Sequence, residues 1–171
     1  LMVVEKGREA EVVAVFEKRK PVNDFKPDSK ITLALDTIQD PGNLGTIIRI
    51  ADWFGIENIV CSIGCADMYN AKVVQSTMGS LGRVNVIYTD LVTWLQENKA
   101  VKIYSASLEG KDVKAFGILK EGILIIGNEA NGVSGEVMEL VNEQINIPGV
   151  GEAESLNAAV ATGIILSHIT R

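Results

Sequence analysis

Three segments of this chain gather residue types that bind and orient small molecules. They are Asp40-Pro41-Gly42-Asn43-Leu44-Gly45, Gly127-Asn128-Glu129-Ala130-Asn131-Gly132, and the run from Ile147-Pro148-Gly149 to Ser155-Leu156-Asn157. Glycine lets backbone approach a ligand closely, while Asn and Glu supply directional hydrogen bonds. Turn formation alone would select the same residues. Neither Gly-x-Gly-x-x-Gly nor a phosphate loop ending in Gly-Lys-Ser/Thr is present, so dinucleotide oxidoreduction and phosphoryl transfer have little support.

Other reactive side chains point to less. Cys61 and Cys65 are the only cysteines. They lie in apolar surroundings with no second pair of Cys or His to complete a zinc site, so a structural role and a reducing compartment are expected. His168, the single histidine, stands near the end of the last helical pattern. A favourable interaction with the helix dipole explains it without a catalytic role.

Loops act together only if a scaffold holds them. From Lys30 onward, short apolar runs at 31–35, 59–63, 84–88, 101–105, 123–126 and 145–147 read as strands. Helical patterns fall between and after them at 45–54, 71–81, 91–98, 134–141 and 155–169, with Ser134 as an N-cap and Glu136 in the first turn. Alternation of this kind predicts an α/β fold with a mostly parallel six-stranded sheet and helices on both faces. In such sheets ligands bind beyond the carboxyl ends of the strands, where all three loops fall. The last helix has little polar surface, which implies burial on more than one side, in the core or at a dimer interface.

Composition bounds the rest. With 171 residues and 47% hydrophobic content, one substantial core is expected, over residues 30–171. Residues 1–29 read as a tail or linker broken by Pro21 and Pro27. The Leu-Met start fits a remnant of a longer parent whose RNA-binding domain is missing, or an expression scar. No run is long enough to cross a bilayer, and no signal-peptide pattern opens the chain, so a soluble cytoplasmic protein is expected. A formal net charge of −6 opposes broad nonspecific nucleic-acid binding. Lys6, Arg8, Lys18, Arg19, Lys20, Lys26 and Lys30 nevertheless offer a local basic patch.

The three loops, in order, resemble the motifs of SpoU/TrmH methyltransferases, within the SPOUT superfamily. The resemblance lies in Asn43 and Arg49 of Pro-Gly-Asn-Leu-Gly-Thr-Ile-Ile-Arg, in Leu-Ile-Ile-Gly-Asn-Glu ending at Glu129, and in Ile-Pro-Gly with Ser155-Leu156-Asn157. It covers residues 31–171. Ala130, Gly149 and Ala158-Ala159 depart from the residues usual in the family.

The resemblance implies a deep trefoil knot at the C-terminal end, a homodimer packed around it, and transfer of a methyl group from S-adenosylmethionine to a ribose 2′-hydroxyl of structured tRNA or rRNA. It implies a cofactor pocket made by Ala106, Ser107, Leu108, Gly127, Asn128, Glu129, Ile147, Pro148, Leu156 and Asn157. Core packing is the alternative for Ile147 and Leu156. Arg49 would stabilise charge on the acceptor oxygen, with Asn43, Glu129, Ser155 and Asn157 as the surrounding polar wall. Two alternatives stay open for these polar residues: Arg49 as a surface cation paired with Asp52, and Asn157 as a helix-end hydrogen bonder. A noncatalytic RNA- or nucleotide-binding module on the same fold is the competing functional class, and a small-molecule-binding α/β protein the third.

Overall fold

The computed structural model describes residues 2–3, 15–18, 20–22 and 24–170. Lys6, Arg8 and Arg19 of the basic group therefore lie outside the described residues. Two short strands, β1 (Met2–Val3) and β2 (Val15–Phe16), pair antiparallel. The main sheet follows: β3 (Ile31–Leu35), β4 (Asn58–Ser62), β5 (Asn85–Thr89), β6 (Ile103–Asp112), β7 (Gly122–Ile126) and β8 (Glu143–Asn146). Its order is β5-β4-β3-β7-β6-β8, and every pairing is parallel.

β3 and β7 sit at the centre, and all residues of both strands are buried. Their unbroken apolar character follows from cover on both faces, and the two-residue strand period divides them between two cores. Leu33, Leu35, Leu124 and Ile126 join the core beneath α1 (Pro41–Trp53), α2 (Ala71–Thr77) and α5 (Ala158–Ile169). Ala34, Ile123 and Ile125 join Trp94 and Leu95 of α3 (Leu91–Glu97) and Val137 of α4 (Gly135–Met138) on the other face. The α/β, six-stranded expectation therefore holds, with helices on both faces.

Several boundaries differ from the sequence reading. α1 begins at Pro41, four residues before the expected start, because Asp40 caps it by accepting the Asn43 N–H and proline suits the first turn. α2 stops at Thr77, where Met78 turns left-handed at φ 49°, and a 3-10 turn at Ser80–Gly82 carries the chain onward. α4 is a single turn. Ser134 occupies its N-cap position without a side-chain capping bond. α5 begins only at Ala158, capped by Asn157.

β6 runs past the expected end at Ser105 to Asp112. Its register against β8 breaks between Ala106 and Lys111, so residues 107–110 are left outside the ladder.

Val22, Phe25 and Pro27, expected to lie in a tail or linker, are tied down. Val22 and the Asn85 carboxamide exchange two hydrogen bonds of 2.9 Å, Phe25 packs at 6.2 Å from Trp94, and Pro27 is buried. Among the described residues no helix is long and apolar enough to cross a membrane, and no group of three or more His, Cys, Asp or Glu could hold a metal ion.

Candidate active site

The three loops converge through one chain of side-chain hydrogen bonds. Asn43, in the first turn of α1, donates from Nδ2 to Glu129 Oε1 at 2.6 Å. Asn157 donates from Nδ2 to Asn43 Oδ1 at 2.8 Å. Residues 86 and 114 positions from Asn43 are thus joined to it directly.

Each member is fixed by its own element. Asn43 sits where the Asp40 cap stops the backbone from fraying, and its N–H, with Lys72 nearby, holds the Asp40 carboxyl below the usual carboxylate range. A Cβ at Gly45 would lie 2.5 Å from Ser76 Cβ and 2.6 Å from the Val73 carbonyl oxygen. Only glycine lets α1 and α2 approach this closely.

Asn157 does two jobs. Its Oδ1 accepts the N–H groups of Ala159 and Val160, capping α5, while its Nδ2 reaches Asn43. The helix-end reading of Asn157 holds, and its other polar atom reaches the Asn43 loop.

Glu129 projects from a tight hairpin. Asn128 and Gly132 exchange two backbone hydrogen bonds of 2.9 Å, and Asn128 Oδ1 also accepts from the N–H groups of Ala130 and Asn131. A Cβ at Gly127 would collide with the Gly132 carbonyl and the Val133 amide, so the hairpin closes only over glycine. Asn128 Nδ2 donates to the Thr37 carbonyl at 2.8 Å, which ties the hairpin to the turn after β3.

Arg49 is exposed and makes no hydrogen bond or ion pair with a described residue. Asp52, its suggested partner, is engaged elsewhere: Arg83 Nη2 and Ser80 Oγ both reach Asp52 Oδ2 at 2.7 Å. The bonds from Arg83, then that from Ser80, hold the Asp52 carboxyl below its usual range. The Arg49–Asp52 salt bridge is thereby corrected, and the Arg49 guanidinium has no hydrogen-bond or ion-pair partner among the described residues. Six residues at about 100° each place Arg49 roughly 120° around α1 from Asn43.

The expected cofactor walls lie at neighbouring strand ends. Ala106 pairs with Ile145, and Asn146 Nδ2 donates to the Leu108 carbonyl, so Ala106-Ser107-Leu108 runs beside the strand leading into Ile147 and Pro148. Leu108 and Leu156 are 67% and 47% exposed. Core packing is ruled out for Leu156 by this exposure, whereas Ile147 packs against the core. Exposed apolar chains beside strand-end backbone groups suit a flat heteroaromatic base with polar edges, so these residues fit an adenosine-bearing cofactor. Ser155 is exposed, as is Pro148.

Sequence reasoning missed Asp36 and Thr37. Asp36 is buried, yet its Oδ2 accepts the Ser134 N–H at 2.8 Å. No local spacing signals a partner 98 residues away. Cys61 is buried and Cys65 partly so, both as free thiols. Neighbouring Cys61 and the Ser62 hydroxyl draw the Cys65 thiol down to about 7, while Cys65 and burial push Cys61 well up. The Cys65 sulfur lies 3.3 Å from both the Ile38 N–H and the Leu35 carbonyl, a packing role in the wall of the turn. His168 stands in the last turn of α5, with Nδ1 2.9 Å from the Ile164 carbonyl.

Comparison with known proteins decides the family: residues 30–167 match the model of the SpoU rRNA Methylase family. The chain belongs to the SpoU rRNA methylase family. Among its SpoU relatives, the 23S rRNA (guanosine(2553)-2′-O)-methyltransferase RlmP of Bacillus subtilis is 37% identical over 151 residues, covering 84% of this chain and 61% of the relative. The 23S rRNA (uridine(2479)-2′-O)-methyltransferase of Streptomyces viridochromogenes is 32% identical, covering 94% and 60%. The SpoU fold is shared with the AdoMet-bound rRNA methyltransferase from Sinorhizobium meliloti, at a TM-score of 0.80 and 33% identity over 88% of this chain and 59% of that one. The chain thus spans about three fifths of the length of these relatives.

Proposed function

We propose that this SpoU-family chain transfers a methyl group from S-adenosylmethionine to a ribose 2′-hydroxyl in structured RNA, either tRNA or rRNA. The observation that supports it most is the Asn43–Glu129–Asn157 chain, which joins the three family motifs directly. S-adenosylmethionine, when bound, supplies an electrophilic methyl group on a sulfonium centre.

The protein's own residues do the rest. Backbone at Gly127, Asn128 and Glu129, at Ala106, Ser107 and Leu108, and at Ile147 and Pro148 holds the cofactor, with Leu156 and Asn157 closing the wall. Arg49 faces the acceptor ribose, where its guanidinium binds phosphate or stabilises negative charge growing on the 2′ oxygen. A guanidinium holds its own proton too tightly to act as an unaided base. Asn43, Glu129, Ser155 and Asn157 orient the acceptor, and good alignment of donor and acceptor contributes about 7–11 kcal/mol.

The same reading includes a homodimer, a C-terminal trefoil knot and work in the cytoplasm. Exposed Trp53 on α1 and Val160 on α5 supply apolar surface for a second copy. In this reading residues 30–171 are the catalytic unit and residues 1–29 lead into it, with Val22 and Phe25 lying against it. In the test, the protein, radiolabelled S-adenosylmethionine and tRNA or rRNA are incubated and the labelled nucleosides identified. Label in a 2′-O-methyl nucleoside supports the proposal. Cofactor binding without label in either RNA makes the chain a noncatalytic module, the reading that its net charge of −6 favours.

A further inference from the structure

Asp36 and Thr37, outside the hydrogen-bonded chain of the site, form the turn on which two of its loops hang. Asp36 continues the central ladder by donating its N–H to the Ile126 carbonyl at 2.9 Å. Its side chain is only 5% exposed and has no ion-pair partner among the described residues. A carboxylate so placed is costly unless its oxygens are satisfied. Oδ2 accepts the Ser134 N–H at 2.8 Å, and Oδ1 accepts the Thr37 hydroxyl at 3.1 Å.

Thr37 adopts φ 58°, a left-handed conformation that is strained for a β-branched residue. Its N–H is held by Ser62 Oγ at 2.9 Å, and its carbonyl accepts Asn128 Nδ2 at 2.8 Å. The 127–134 hairpin is therefore pinned at entry through Asn128 to Thr37 and at exit through Ser134 to Asp36. The same turn leads forward to Asp40 and Asn43. Whatever sets Asp36 and Thr37 sets the separation of Glu129 from Asn43.

We propose that Asp36 is a positioning residue that fixes the height of the Gly127–Glu129 loop over the sheet and so preorganises the cofactor pocket without touching cofactor or RNA. This rests on reading that loop as cofactor-binding. Losing this tether leaves the hairpin held at its entry alone, through Asn128, so the cofactor must restore the position of its exit on binding, which weakens affinity more than turnover at saturation.

The test measures S-adenosylhomocysteine affinity by calorimetry, and KM and kcat for S-adenosylmethionine, in four variants. Asp36→Ala is expected to raise Kd and KM about tenfold or more, with kcat changed less than about threefold. Asp36→Asn keeps an acceptor for Ser134 and a donor for Thr37, and is expected to restore most of the affinity. Ser134→Pro removes the N–H that Asp36 accepts, at a φ of −61° that proline adopts, and also sets the ring Cδ against the Asp36 carboxylate; it should lose at least as much affinity as Asp36→Ala. Ser134→Ala keeps that N–H and should bind like the wild type.

Simple misfolding would lower the number of binding sites at unchanged affinity. Wild-type affinity in folded Asp36→Ala, or in Ser134→Pro if the first variant does not fold, overturns the inference. No binding by the wild-type protein overturns the cofactor reading itself, and the inference with it.

Discussion

The Asn43 carboxamide stands between Glu129 and Asn157, donating to the first at 2.6 Å and accepting from the second at 2.8 Å. An amide is the one side-chain type of this size that can do both at once. Asn43→Ala is expected to lower methyl transfer by about a hundredfold or more, through lost alignment. Because all three side chains are at least partly exposed, stability should fall by less than about 1 kcal/mol. Asn43→Asp should be at least as damaging, since it sets a second carboxylate against Glu129. Parallel turnover assays and urea titrations check both; a large stability loss with retained turnover would make the chain a structural brace.

Asp52 is committed to Arg83 and Ser80, so it does not pair with Arg49. Arg49→Ala is expected to reduce methyl transfer by about a hundred- to a thousandfold while S-adenosylhomocysteine affinity stays within about threefold. Arg49→Lys should recover little, because a point charge cannot replace a planar fork on phosphate. Undiminished turnover in the alanine variant would remove Arg49 from the mechanism.

The Asp52–Arg83 pair gives a pH dependence of stability with a definite sign. Arg83 and Ser80 lower the Asp52 carboxyl below its ordinary 3.8, so the pair's contribution is present above that value and is lost as pH falls through the lowered one. Arg83→Ala should therefore be less stable than the wild type near neutral pH, and the gap should close on acidification below about 3.8. Urea midpoints across an acid pH series measure it. A gap that widened with acid would contradict the assignment.

The scaffold was legible because β3 and β7 are buried on both faces and so read as continuous apolar runs. Asn43, Glu129 and Asn157 were legible as motif members. Their direct contact was not, since it depends on separations of 86 and 114 residues. The start of α1 was misplaced because Pro41-Gly42-Asn43 looks like a turn, although Asp40 followed by proline is also a helix-start signal. Asp36 was invisible for a different reason: a single Asp at a strand end has no pattern, and its acceptor role appears only when Ser134 is folded against it.

Self-association is the next expectation. Trp53 is 77% exposed on α1 and Val160 51% exposed on α5, two helices that pack on each other. Light scattering on a size-exclusion column should give twice the mass of the 18.4 kDa chain. Val160→Lys should shift the distribution toward monomer, whereas a wild-type monomer at micromolar concentration would contradict the dimer.

The central claim is a cofactor site formed by these strand ends, and calorimetric titration of S-adenosylmethionine and S-adenosylhomocysteine tests it most directly. Saturable binding near one site per chain is expected, lost in Leu156→Arg, whose side chain would fill the slot without disturbing the core because Leu156 is exposed. Absence of binding to the folded wild-type protein, or undiminished binding by the Leu156→Arg variant, would contradict the account.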